Sequence, residues 1–172
     1  MCDIMNSDEF ILEGSTKKQI YGFMIQIKCK AMEDFVMAGM ATKMVAAYCE
    51  AQGVKVTEIR GDVLRAGWNF EGGSIEIFFR FDEKDEHVHL EGMNFITVPE
   101  NKYDAMYKTV NQCNDDYTHI KFVLDTKDGQ INAREDAVIQ LDSCGEECFE
   151  LMIRMVRVVE DAFPKFMKAM WA

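Results

Sequence analysis

Two short runs of alternating apolar residues, separated by Asp128-Gly129, restrict this chain more than any other stretch. Ile120, Phe122 and Leu124 alternate with polar neighbours, and Ala137, Ile139 and Leu141 repeat the pattern, so both runs read as half-buried strands. Between them, Lys127-Asp128-Gly129-Gln130 supplies a pair that reaches positive φ at little steric cost, as a two-residue turn requires. The expectation is an antiparallel hairpin over Ile120–Leu141.

A long helix follows. Ser143 and Glu146 are spaced as a capping box, each satisfying a backbone N–H that lacks an intrahelical partner. Cys148, Met152, Met155, Val159, Phe163, Phe166 and Met170 then recur at steps of three and four, an apolar stripe that must be buried. Pro164 removes one backbone donor inside this pattern, which predicts a kink or break near Glu160 to Phe163.

The preceding chain supplies the rest of the fold. A helix is expected from about Met32 to Gln52, with Glu33 and Asp34 at its positive end and Gly53 as a left-handed terminator. Three alternating runs come next: Leu64 to Phe70, Ile75 to Phe81, and Val88 to Leu90, with a bulge expected at Gly92. Thr97, Pro99 and Glu100 then look like the start of another helix, whose apolar side is Tyr103, Met106, Tyr107, Val110 and Cys113. Residues Met1 to Ser15 are polar and acidic and read as loosely ordered. Ile20 to Cys29 alternates like a strand, although Ile20, Phe23, Met24 and Ile27 also fit a helix. The resulting order, α-βββ-α-ββ-α, is α+β with an antiparallel sheet of five or six strands and three main helices.

A chain of 172 residues carrying 30 acidic and 19 basic side chains, net −11, is long enough for one core and repels phosphate backbones and anionic lipid over most of its surface. Nucleic acid and membrane are therefore poor partners. The first residues lack the order of a leader peptide, no apolar run approaches the roughly 20 residues that span a bilayer, and a cytoplasmic protein is expected. The six cysteines fall partly on apolar helix faces, at Cys49 and Cys148, and are expected to be free thiols.

Chemistry is sparse. His87 and His89 share one face of a strand and could reach a metal, but two ligands are too few, and a wet strand end is the simpler reading. Cys144 and Cys148 stand four apart at a helix start, where the positive end would lower the Cys144 pKa; packing is again simpler. Cys113 with His119 lacks an orienting carboxylate, Gly72-Gly73-Ser74 lacks the lysine of a phosphate loop, and Arg60-Gly61-Asp62 reads as a turn. The acidic run Asp82 to Glu86 reads as a solvated hairpin tip. One surface stands out. If Trp68, Ile77, Leu90, Phe122 and Ile139 pack under helices, the opposite sheet face carries Phe78, Met93, Phe95, Val123 and Val138 among charges, a mixed surface of the kind that contacts protein, or that an N-terminal segment covers.

The stretch Tyr103 to Leu141, with Val110-Asn111-Gln112-Cys113-Asn114, Lys121-Phe122-Val123-Leu124-Asp125 and Asp128-Gly129, resembles the YbjN-domain family of bacterial sensory transduction regulators. The similarity covers about residues 31–172, leaving 1–30 as an N-terminal extension. It implies a twisted sheet similar to that of type III secretion chaperones, and a cytoplasmic homodimer that binds or regulates another polypeptide without enzymatic activity, ATP or other cofactor. No catalytic, cofactor-binding or metal-binding residue is carried over. The alternative is a small metal- or thiol-dependent sensor or enzyme using His87, His89 or Cys144, Cys148.

Overall fold

The computed structural model describes residues 39–171. The polar stretch Met1 to Ser15, the strand or helix over Ile20 to Cys29, and the first residues of the helix expected from Met32 lie outside them. Helix α1 (Met40–Ala51) leads to strands β1 (Val56–Arg60), β2 (Val63–Phe70), β3 (Gly73–Phe81) and β4 (His87–Met93). A 3₁₀ turn at Glu100–Lys102 opens helix α2 (Tyr103–Asp116), then β5 (Lys121–Asp125), β6 (Gln130–Val138) and helix α3 (Cys144–Trp171) close the chain. The result is a six-stranded antiparallel sheet in the order β1-β2-β3-β4-β6-β5 with three helices. A strand at Val56–Arg60 is thus added ahead of the expected meander.

One sheet face makes the core. Leu64 and Ala66 of β2, Ile75, Ile77 and Phe79 of β3, Leu90 of β4, and Phe122 of β5 are all buried there against the Cys148, Met152, Met155, Val159, Phe166 stripe of α3. Burying a side chain of this size is worth roughly 1.5–3 kcal/mol, so the stripe dominates the stability of the helix. Phe122 and Phe166 meet edge to face at 5.1 Å, and Phe95 packs on both, 6.5 Å from each.

Several local expectations change. The hairpin turn holds four residues, because Asp125 pairs with Gln130 and the second strand starts there rather than at Ala137; Gly129 takes the positive φ, at 73°. Glu147, not Glu146, answers Ser143: it accepts the Ser143 hydroxyl at 2.6 Å and the Gln140 N–H at 3.1 Å. Helix α3 runs through Pro164 without a break. The carbonyl of Glu160, whose bond Pro164 cannot make, belongs to an exposed residue, while Phe163 and Phe166 anchor the turn. Thr97 caps no helix; it bridges to Gln130, whose amide donates to its hydroxyl at 2.8 Å.

Gly92 makes no bulge, since its register runs unbroken from Ile77 through Gly92 to Ala133. It is glycine because a Cβ would lie 2.6 Å from Ile75 Cδ1 and 3.0 Å from Met155 Sδ. The one irregularity among the paired strands lies between Glu58 and Arg60 on the edge strand β1. Such a bulge, with charges on either side, discourages edge pairing.

Candidate functional site

The described helices pack on the core face, so the second face of the sheet is where the sequence places a contact surface. Cross-strand register builds it. One row runs Arg65, Phe78, Glu91, Arg134, Lys121 across β2, β3, β4, β6 and β5, and the next runs Arg80, His89, Asp136. Alternation puts every second residue here. Opposite charges therefore meet: Arg65 and Glu76 at 3.2 Å, Arg80 and Glu91 at 3.4 Å, Arg134 and Glu91 at 3.1 Å. The Glu91 side chain is only 12 % exposed and is held by two guanidinia, whereas the arginines are about half in water. The Arg65–Glu76 pair, exposed on both partners, contributes about 0–1 kcal/mol, and opposite charges facing each other across strands favour this register. Arg80 also lies 5.6 Å over the Phe78 ring.

The five apolar residues expected on this face separate in the structure. Phe78 and Met93 are half-buried near its centre, and Val123 and Val138 are exposed. Phe95 is not on the face: it is 8 % exposed and lies in the core. Asn94, at φ 61°, turns the chain after β4 and sends the next side chain inward. Val123 pairs with Asn132, and Val138 is six residues further along β6, about 20 Å away at the usual rise per residue. The surface is thus a charged lattice with Phe78 and Met93 inside it and two valines at its margin.

His87 and His89 line a concavity of about 260 Å³ with Arg80, Asp82 and Asp136. Their imidazoles lean apart. His87 Nδ1 is 3.3 Å from Asp82, beyond the end of β3, and His89 Nδ1 is 2.6 Å from Asp136 on β6, the strand on the other side of β4. Each is drawn to a different neighbour, so the pair does not converge on one point. Among the described residues no three His, Cys, Asp or Glu side chains are grouped so as to hold a metal ion. Against the cost of partial burial, the N–H groups of His87 and Glu86 hold the Asp82 carboxyl below its usual range.

The cysteines among the described residues are core. Cys49, Cys113, Cys144 and Cys148 are free and fully buried. Burial pushes the Cys49 thiol up to about 11 and raises Cys148 further, with Cys144 and Cys49 close enough to add to it. Cys144 is raised as well, by burial and then by Asp85, which corrects the expectation that the helix start would lower it. The protonated thiol is a weak nucleophile. Cys113 is raised by burial and His119 is exposed, so that pair forms no relay. Arg60 and Asp62 pair at 2.9 Å within the turn between β1 and β2.

Two polar residues matter more than the sequence indicated. Asp85, inside the supposedly solvated acidic run, is 4 % exposed and caps the start of α1 from the β3–β4 hairpin. Asn114, in the last turn of α2, receives the Phe122 N–H at 2.7 Å and donates to the Phe122 carbonyl at 3.0 Å. Its amide thereby occupies the outer backbone positions of the edge strand β5, and Lys121 Nζ ties the same corner to the carbonyls of Asn114 and Tyr117. Glu135 is a third such residue, buried on the core face and bonded to Arg154 of α3.

A family model described as "Putative bacterial sensory transduction regulator", YbjN, matches residues 42–170. No curated protein sequence matches the chain. Among solved structures, the crystal structure of YbjN from E. coli, described as "a putative transcription regulator", superposes with a TM-score of 0.54 at 11 % identity, covering 72 % of this chain and 91 % of that one. At that identity the likeness is one of fold. Among the described residues no helix is long and apolar enough to cross a membrane.

Proposed function

The chain belongs to the YbjN family, and from that premise we propose that it is a non-enzymatic module that binds or regulates another polypeptide, working as a cytoplasmic homodimer. The observation that supports this reading is the second sheet face, where Phe78 and Met93 sit among Arg65, Arg80 and Arg134, guanidinium groups that keep substantial exposure. Arginine beside aromatic and thioether surface is the composition of protein contacts. A regulator acting through protein also fits the charge. At net −11 the chain opposes a phosphate backbone, so regulation of transcription by a member of this family need not involve touching DNA. The likeness to type III secretion chaperones that the family resemblance implies fits capture of an extended or helical client.

Size-exclusion chromatography with light scattering tests the dimer, which predicts twice the chain mass at tens of micromolar. Phe78→Asp should shift that mass toward the monomer, or abolish client capture, with an unchanged circular dichroism spectrum. A monomeric wild type overturns the dimer; wild-type behaviour of Phe78→Asp in both assays overturns the face.

A further inference from the structure

A second surface lies between α2 and the C-terminal half of α3. A groove of about 370 Å³ there is lined by Ala105, Lys108, Thr109, Lys165, Lys168 and Ala169. Its floor is small and its rim is cationic. Lys165 is fixed, 3.0 Å from Asp116, 3.0 Å from the Tyr117 hydroxyl and 4.6 Å over the Tyr117 ring. Those hydrogen bonds, from Tyr117 first and then Asp116, raise its pKa and keep it charged. Lys108 and Lys168, both exposed, have no ion-pair partner among the described residues. Asp116 and, through the Tyr117 hydroxyl, Asp161 face Lys165, so the free positive charge of the groove is that of Lys108 and Lys168, on a chain whose net charge is −11.

We propose that this groove docks an acidic amphipathic helix of a partner polypeptide, its carboxylates on Lys108, Lys165 and Lys168 and its apolar side chains against Ala105 and Ala169. The surrounding charge supplies the selectivity. An acidic partner is repelled over most of this surface, so a local positive groove fixes where and in which orientation it lands. The small floor residues let a helix backbone approach closely, as ridge-into-groove packing needs. A small anion is a poorer occupant, because the groove is open and exposed ion pairs in water contribute little unless other surface is buried with them. This rests on the polypeptide-binding reading above and assigns it a second surface, distinct from Phe78.

The test uses the full chain and a fluorescein-labelled amphipathic peptide of Glu and Leu, followed by anisotropy at low salt. Saturable binding is expected, weakening with salt and falling by roughly tenfold or more in Lys108→Glu/Lys168→Glu. The same peptide with Gln for Glu should bind at least tenfold more weakly, and Phe78→Asp should leave binding unchanged. Both lysines are exposed, and an unchanged thermal melt of the double variant establishes that the fold is intact. The proposal is overturned if the wild type does not bind, if the double variant binds equally well, or if inorganic pyrophosphate competes as effectively as unlabelled peptide. A failure of the Phe78 experiment leaves the groove standing, and the reverse holds too.

Discussion

The Asp85 carboxylate accepts the backbone N–H of Met40 at 2.9 Å, closing the first turn of α1 with a residue 45 positions away. It reaches Ala41 N–H at 3.3 Å as well, and so performs for α1 the work of an N-cap that Gly39 cannot perform. Replacing Asp85 with Ala should lower the unfolding free energy by about 1–2 kcal/mol, measured by urea denaturation. Asp85→Asn should lose less, because its amide oxygen can accept and Asn tolerates the positive φ of 56°. Equal stability of Asp85→Ala and wild type would show that the cap carries no energy.

Asn114 offers a cleaner two-bond experiment. Asn114→Ala leaves the outer N–H and C=O of Phe122 without their partner, at a cost of about 1–3 kcal/mol. Asn114→Asp keeps the acceptor and loses the donor, so its stability should fall between the two. Amide exchange at Phe122 reports the site directly, and protection there unaltered by Asn114→Ala would refute the clamp.

Gly92→Ala should destabilise by about 1–3 kcal/mol through overpacking. The clash is with Ile75 Cδ1, so Ile75→Val in the same chain should recover part of the loss. A double-mutant cycle with no coupling between the two positions would place the strain elsewhere.

The thiols predict an alkaline limb of stability. Cys49 ionises near 9 when unfolded and only near 11 when folded, and Cys148 is shifted in the same direction. A raised folded pKa means the contribution is fully present below about pH 9 and is lost as pH climbs toward 11 and beyond. Urea midpoints measured from pH 8 upward should therefore decline, and Cys49→Ala should flatten the slope. Iodoacetamide should leave Cys49, Cys113, Cys144 and Cys148 unmodified in the native protein and alkylate them in urea, as peptide mapping would read. Rapid native alkylation of Cys148 would contradict its burial.

Elements with strong periodicity were legible from the chain alone. The α3 stripe and the alternations of β2, β3 and β5 each state which side is buried, and the structure buries that side. Strand β1 carries no such statement: an edge strand whose residues after Val56 are all exposed shows no contrast between its faces. Asp85 was hidden for another reason. An acidic tip looks solvated until the helix it caps, distant in sequence, is brought to it. Phe95 followed the β4 alternation on paper, and a single left-handed residue, Asn94, breaks that alternation in space. Glu135 occupies an inward register position that alternation assigns to an apolar residue, and only Arg154, a helix away, makes it tolerable. The extent of the second face was not legible, since register and burial decide which apolar residues share a patch.

Strand β4 lies beside β6 rather than β5, and that order sets when the fold can be finished. As the polypeptide leaves the ribosome, β1 to β4 can zip together from local hairpins, yet the far edge of β4 stays bare until residues beyond Ala133 emerge. His89 waits 47 residues for Asp136. Closing so long a loop costs entropy before any pairing rewards it, so joining the two halves of the sheet should be the slow event in folding, and the interval in which an unfinished chain is most exposed to mispairing.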